Sequence, residues 1–231
     1  MSLYQLAQEQ PSNVTREQLR ELYSRVLVNG GERAIYNSIR NGSHYQRCPL
    51  CVQRDVQTLD HYLSQTSFPE FAILPINLVP SCFECNHAKL NHLAASSEEQ
   101  LFHPYYDDWG IFPLFSAVVQ IGDNVEIEFH INDGALDETT LSRLNLHFEM
   151  MGLATLYAEH AAIELVQKRL SFVMTFNAGG PDALRDDLLH EAASRTAPFP
   201  NSWQPVLYRA LAASAPFYEG GFLQIVDQVE A

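Results

Sequence analysis

All four cysteines of this chain fall into two Cys-x-x-Cys pairs, Cys48/Cys51 and Cys82/Cys85, with thirty residues between the pairs. A Cys-x-x-Cys turn aims two thiolates at one point, and two such turns complete a tetrahedral sulfur site for a single cation. The intervening residues must then bring both turns face to face, which few small folds allow. The alternatives are two local disulfides or four buried apolar thiols. A site of four thiolates keeps no open coordination position, so Zn2+ held there is expected to be structural. In small modules such a metal contributes on the order of 10 kcal/mol to folding.

The rest of the composition fits that reading. At 231 residues the chain suits one large domain or a small module with an appended domain. Its 46% hydrophobic and 11% aromatic content exclude global disorder. No apolar run approaches the ~20 residues that span a bilayer, so no membrane partner is expected. The opening MSLYQLAQEQPSNVTREQ lacks the basic-then-apolar pattern of a signal peptide. A cytoplasmic location follows, where thiols stay reduced and clustered cysteines favour metal.

Charge is distributed unevenly. The net charge is −14, awkward for a nucleic-acid enzyme because phosphate contacts supply most non-specific affinity. Residues 1–47 carry six Arg against four Glu, whereas residues 96–231 carry six basic and twenty acidic residues. The acidic surplus thus lies away from the cysteines in sequence. Either the face near them is neutral to basic, or a partner brings the nucleic acid. The plainer alternative is a solvated acidic surface that aids solubility.

Three segments are expected: N-terminal helices over 1–47, a cysteine module over 48–92, and a connector, hairpin and helices over 93–231. Thr15 with Gln18 reads as a capping box, and Leu19, Leu22, Tyr23, Val26 and Leu27 recur at helical spacing. Gly30-Gly31 breaks that helix, and a second ends near Asn41-Gly42. The module is punctuated by Pro49, Pro69, Pro75 and Pro80. Residues 101–115 are dense in aromatics. Ala117–Ile121 and Val125–Ile131, joined by Gly122-Asp123-Asn124, predict a β-hairpin. Helices are then expected from Thr139 or Thr140 to Met151, from Ala154 to Phe172, from Pro181 to Arg195, and from Gln204 to Ala213. The fold class is α+β.

Between the cysteine pairs stand Leu59-Asp60-His61 and Asn77-Leu78-Val79-Pro80-Ser81, and Asn86-His87-Ala88-Lys89 follows Cys85. These forty-five residues resemble the HNH (ββα-metal) endonuclease family, in its four-cysteine zinc variant. The resemblance implies a small ββα-metal module flanked by N-terminal helices and by a β-hairpin with a helical C-terminal region. It also implies that Asn77 sits in a loop and fixes the orientation of His61. Phe102-His103-Pro104-Tyr105 and the helical tail are similar to HNH nucleases of bacterial anti-phage systems of the Septu and retron type. That second resemblance implies a partner ATPase, docked through the acidic C-terminal region.

The chemistry has its own logic. Phosphodiester cleavage needs an activated water, a cation against developing charge, and rigid positioning. His61 is the candidate general base, because neutral imidazole takes a proton near neutral pH. Asp60 and the Asn86 amide oxygen are candidate ligands for a hard divalent cation, Mg2+ or Mn2+. Many family members carry His where this chain has Asn86 and another His about four residues later, where this chain has Leu90. The set here is closer to the Asp/Asn site of HNH domains in RNA-guided effectors. His87 and His92 remain either substitutes or surface and phosphate-facing residues. Lys89 is either a phosphate contact or a solvated lysine, and His103 with Tyr105 either lines a groove or packs. The expected function is a DNA endonuclease. The alternative is a catalytically inactive, zinc-stabilised module that binds nucleic acid or protein.

Overall fold

The computed structural model describes residues 2–8, 13–107, 113–134 and 136–226. It is α+β, as expected. In chain order the elements begin with α1 (Arg16–Leu22), α2 (Arg33–Asn41), β1 (Thr58–His61), β2 (Leu78–Ser81) and α3 (Phe83–Lys89). There follow β3 (Phe115–Ile121), β4 (Val125–Ile131), α4 (Glu138–Met150), α5 (Leu153–Thr196), α6 (Trp203–Ala213) and α7 (Ala215–Tyr218). Two compact units form, Met1–Asp108 with Ala135–Met151, and Trp109–Gly134 with Gly152–Ala231. The divisions expected at 47/48 and 92/93 therefore fall inside the first unit, and the segment 93–231 is shared between both. No helix among the described residues is long and apolar enough to cross a membrane.

In the first unit the expected capping box at Thr15 is formed, with Thr15 and Gln18 bonding each other's backbone. The chain then widens into a π-turn over Tyr23–Val28, closed by Asn29 N–H donating to the Ser24 carbonyl at 2.8 Å. A Cβ at Gly30 would run into the Arg25 and Val26 carbonyl oxygens, so the break there requires glycine. β1 and β2 pair antiparallel, setting His61 opposite Leu78 and Asp60 opposite Val79. Leu27, Tyr36, Leu59 and Leu78 bury themselves between the helices and this sheet, with Tyr23, Val28 and Ile39 packed around them.

Helix α4 belongs to this unit. Its cap is Asp137, whose carboxylate accepts from the Thr140 N–H at 2.9 Å. The cap expected at Thr139 or Thr140 is thus displaced, because a carboxylate accepts where Thr140 donates. Arg143 reaches from α4 to the Gln100 carbonyl at 2.6 Å, forms an ion pair with Asp107 at 2.6 Å, and lies over the Phe102 ring. The aromatic stretch is thereby fastened; its residues 108–112 lie outside the described ones. One turn on, His147 is wholly buried and bonds the Leu50 carbonyl at 2.7 Å, tying α4 to the first Cys-x-x-Cys turn.

The second unit is built on the predicted hairpin, where Val125, Ile127 and Phe129 alternate inward. Phe115 and Phe129 both meet the buried Tyr157 ring edge-on. The helices expected over 154–172 and 181–195 are one longer run, Leu153–Thr196, broken at Gly180, where φ is 76° and ψ −167°. Only glycine adopts that backbone without strain, and Pro181 restarts the helix with φ already set. Glu164 of α5 accepts from Tyr208 of α6 at 2.5 Å and pairs with Arg195, beyond the break at Gly180, at 3.1 Å.

Burial holds the His147 imidazole down at about 4, against an ordinary 6.5. Between those values the unfolded chain binds a proton that the folded chain refuses. Stability is therefore fully present above about pH 6.5 and falls as pH drops toward 4, by about 3 kcal/mol in all. Urea unfolding across pH 4–7 should show this slope in the wild type and a shallower one in His147→Gln. Equal slopes would remove His147 from the account.

Candidate functional site

The two Cys-x-x-Cys turns meet behind β2. The four Sγ atoms lie within 4.8 Å of one another, and all four cysteines are buried and free of disulfides. Backbone geometry holds each turn open for a ligand. Cys48 N–H donates to the Arg54 carbonyl at 2.8 Å, Val52 N–H to the Cys48 carbonyl at 2.8 Å, and Val52 takes a φ of 54°. The Arg54 and Cys85 N–H groups each point at a sulfur, Cys51 and Cys82 respectively, at 3.4 Å.

Four zinc–sulfur bonds of about 2.3 Å put sulfurs roughly 3.8 Å apart, so this cluster can hold a structural Zn2+. The ionisation behaviour agrees. Hydrogen bonds from the other three thiols pull Cys48 down, while Cys48 and Cys51 in turn push Cys82 and Cys85 up. A thiolate here forms at its neighbours' expense until a cation pairs with all of them.

A groove opens where the end of β1 meets α3. Asp60, His61, Ser64, Gln65, Phe83, Asn86, His87, Leu90 and Asn91 line it. Four residues singled out in the sequence, Asp60, His61, Asn86 and His87, are thus brought together. His61 is 8% exposed, and its Nε2 donates to the Ala72 carbonyl at 2.8 Å. Because a carbonyl can only accept, Nε2 carries the proton and Nδ1 keeps the lone pair. Burial lowers the His61 pKa, which keeps the ring neutral near pH 7.

Asn77 acts otherwise than expected. Its side chain accepts from the Leu63 N–H at 2.7 Å and donates to the Leu63 and Phe71 carbonyls at 3.0 and 3.2 Å. It braces the loop that carries the Ala72 carbonyl instead of touching His61. Its hold on the imidazole passes through that backbone.

Lys89 differs most from its reading in the sequence. Neither solvated nor free for a phosphate, it is 3% exposed, with Nζ 3.2 and 3.1 Å from the two Asp60 oxygens and 2.7 Å from the His61 carbonyl. Helix α3 is short, and position 89 falls on its inner face one turn below Cys85. Burial pushes the Asp60 carboxyl up to about 6, against the pull of Lys89. The ammonium is the countercharge that lets this carboxylate remain ionised inside the fold.

His92 bonds the Glu99 carbonyl at 2.8 Å and does not line the groove. His103 is buried, its Nδ1 accepting from Tyr105 N–H at 3.2 Å, while the Tyr105 hydroxyl donates to the Leu78 carbonyl at 2.9 Å. Both residues pack. One neighbour was not singled out for this site. Tyr23, from the π-turn, meets the His61 ring edge-on with centroids 4.6 Å apart. In the sequence it is one more apolar position of a helix, and nothing local marks the π-turn that swings it onto His61.

No protein-family model matches this chain, and no solved structure matches it. Among curated proteins, Protein ea31 of Escherichia phage lambda is 30% identical over 226 residues, covering 90% of this chain and 76% of that protein.

The buried pair makes a sharp distinction. Removing one partner of such a pair costs about 3–5 kcal/mol, because the other charge stays buried alone. Lys89→Met should lower the free energy of unfolding by that order in denaturant titration. A change below about 0.5 kcal/mol, typical of a surface lysine, would contradict the assignment.

Proposed function

This chain belongs to the family of Protein ea31 of Escherichia phage lambda, and we propose that it is a metal-dependent endonuclease of the HNH type acting on DNA. The observation that carries the reading is the shared groove: His61, Asp60 and Asn86 face one opening, framed by the sheet and helix that the cysteine cluster fixes.

In this reading His61 Nδ1 takes the proton from a water that attacks the scissile phosphorus. The Ala72 carbonyl, Tyr23 and the Asn77-braced loop hold the ring for that transfer. Asp60 and the Asn86 amide oxygen are the side chains that would hold Mg2+ or Mn2+. A carboxylate has about four lone-pair sites, and Lys89 engages one on each oxygen, so acceptor capacity remains. Magnesium keeps several waters and needs only one or two carboxylates beside substrate phosphate, which suits so sparse a set. When bound, the cation supplies charge neutralisation at the phosphate and leaving oxygen. His87, exposed on the same helix face, is the candidate phosphate contact.

The anti-phage role and the partner ATPase rest on the weaker sequence resemblance and on the acidic charge of residues 96–231. Docking of that partner through the C-terminal region is part of the same proposal. One observation favours the alternative of an inactive binding module: Lys89 already sits on both oxygens of the only carboxylate that lines the groove among the described residues.

Supercoiled plasmid with Mg2+ or Mn2+ separates these. The wild type should nick it, and His61→Ala should be slower by roughly 100-fold or more, the usual weight of a general base. Equal rates would sink His61 as the base. No cleavage by the wild type, even with the neighbouring gene product added, would favour the binding module.

A further inference from the structure

The groove is unusual for a surface that takes a polyanion. Among the described residues that line it there is neither Lys nor Arg, and the one nearby lysine, Lys89, is consumed by Asp60. Two large apolar side chains stand open there instead, Phe83 at 60% and Leu90 at 61% exposure. They are not scattered. Phe83, Asn86 and His87 follow the i, i+3, i+4 spacing of one face of α3, Leu90 caps that helix with a φ of 46°, and all four line the groove. The stripe alternates an aromatic ring, an amide, an imidazole and an aliphatic side chain.

Duplex DNA offers this surface little. Its bases are stacked inward and its affinity for proteins comes from phosphates meeting Lys and Arg. An unpaired strand has the same phosphates, but it alone adds base faces on which an exposed aromatic ring stacks, a contribution that does not depend on charge. The backbone that carries Phe83 is held in place: its N–H donates to the Gln57 side chain at 3.2 Å, and the neighbouring Cys82 belongs to the cysteine cluster.

We propose that this site takes single-stranded DNA, with an unpaired base stacked on Phe83 and its edge read by Asn86 or His87. The inference rests on the nuclease reading for its choice of DNA, and it adds the strandedness of the substrate and a specificity-determining residue. In that geometry the base on Phe83 registers the strand so that a neighbouring phosphate faces His61.

Binding, not cleavage, tests it. Fluorescence anisotropy would compare a labelled twelve-nucleotide oligo-dT, the dT·dA duplex of equal length and oligo-rU, on the full zinc-loaded chain carrying His61→Ala to prevent hydrolysis. The single DNA strand should bind at least tenfold more tightly than the duplex. Phe83→Ala should weaken that binding roughly tenfold, the weight of one stacked base, and leave duplex binding unchanged. Phe83→Trp should retain it. Because Phe83 is exposed, these variants should keep their zinc content and unfolding midpoint. Oligo-dT affinity unchanged by Phe83→Ala, or duplex bound as tightly as the single strand, would overturn the proposal. Preference for oligo-rU would overturn the assignment to DNA. A chain that binds as described yet never cleaves plasmid would sink the nuclease reading alone.

Discussion

Four buried thiols that share one small volume govern the first unit. Held without a cation, they oppose one another's ionisation; paired with one, they become a long-range link between two stretches of chain thirty residues apart. Leu27, Tyr36, Leu59 and Leu78 form a buried apolar cluster between helices α1–α2 and the two four-residue strands. A two-stranded sheet is marginal by itself in water. The cysteine turns flank it, Cys48 and Cys51 ahead of β1 and Cys82 and Cys85 at β2 and α3. Closing them fixes the strand that carries Asp60 and His61 against the helix that carries Asn86.

Second to the cluster comes a set of buried polar contacts that connect the loops. Asn77 braces the 63–71 loop, Lys89 neutralises Asp60 and ties the His61 carbonyl, and His147 and Arg143 fasten α4 to the module and to the aromatic stretch. Each leaves a costly orphan if its partner is removed. The two groups that hold His61, an edge-on tyrosine and the carbonyl of a braced loop, come from separate stretches of chain.

Much of this was legible in the sequence because it is local. The Thr15–Gln18 capping box, the break at Gly30-Gly31, the hairpin turn at Gly122-Asp123-Asn124 and the spacing of the cysteines each depend on residues a few positions apart. The clustering of Cys48, Cys51, Cys82 and Cys85 followed from ligand chemistry alone. What escaped depends on tertiary placement. Lys89 reads as a surface lysine until α3 turns it inward onto Asp60. Asn77 was assigned to His61 but reaches it only through the backbone. The unit boundaries were hidden because α4, distant in sequence, returns to the cysteine module. The helix expected to end near Phe172 runs on to the break at Gly180, while the restart at Pro181 was legible.

The most direct test of this account follows backbone amide hydrogen exchange of the full chain before and after a zinc chelator, with metal content measured in parallel. One zinc per chain is predicted. Its removal should expose the amides of residues 58–61, 78–81 and 83–89, while those of the β3–β4 hairpin keep their protection. A chain that carries no zinc as purified, or whose module amides stay equally protected after chelation, would contradict the claim that the cysteine cluster holds the site together.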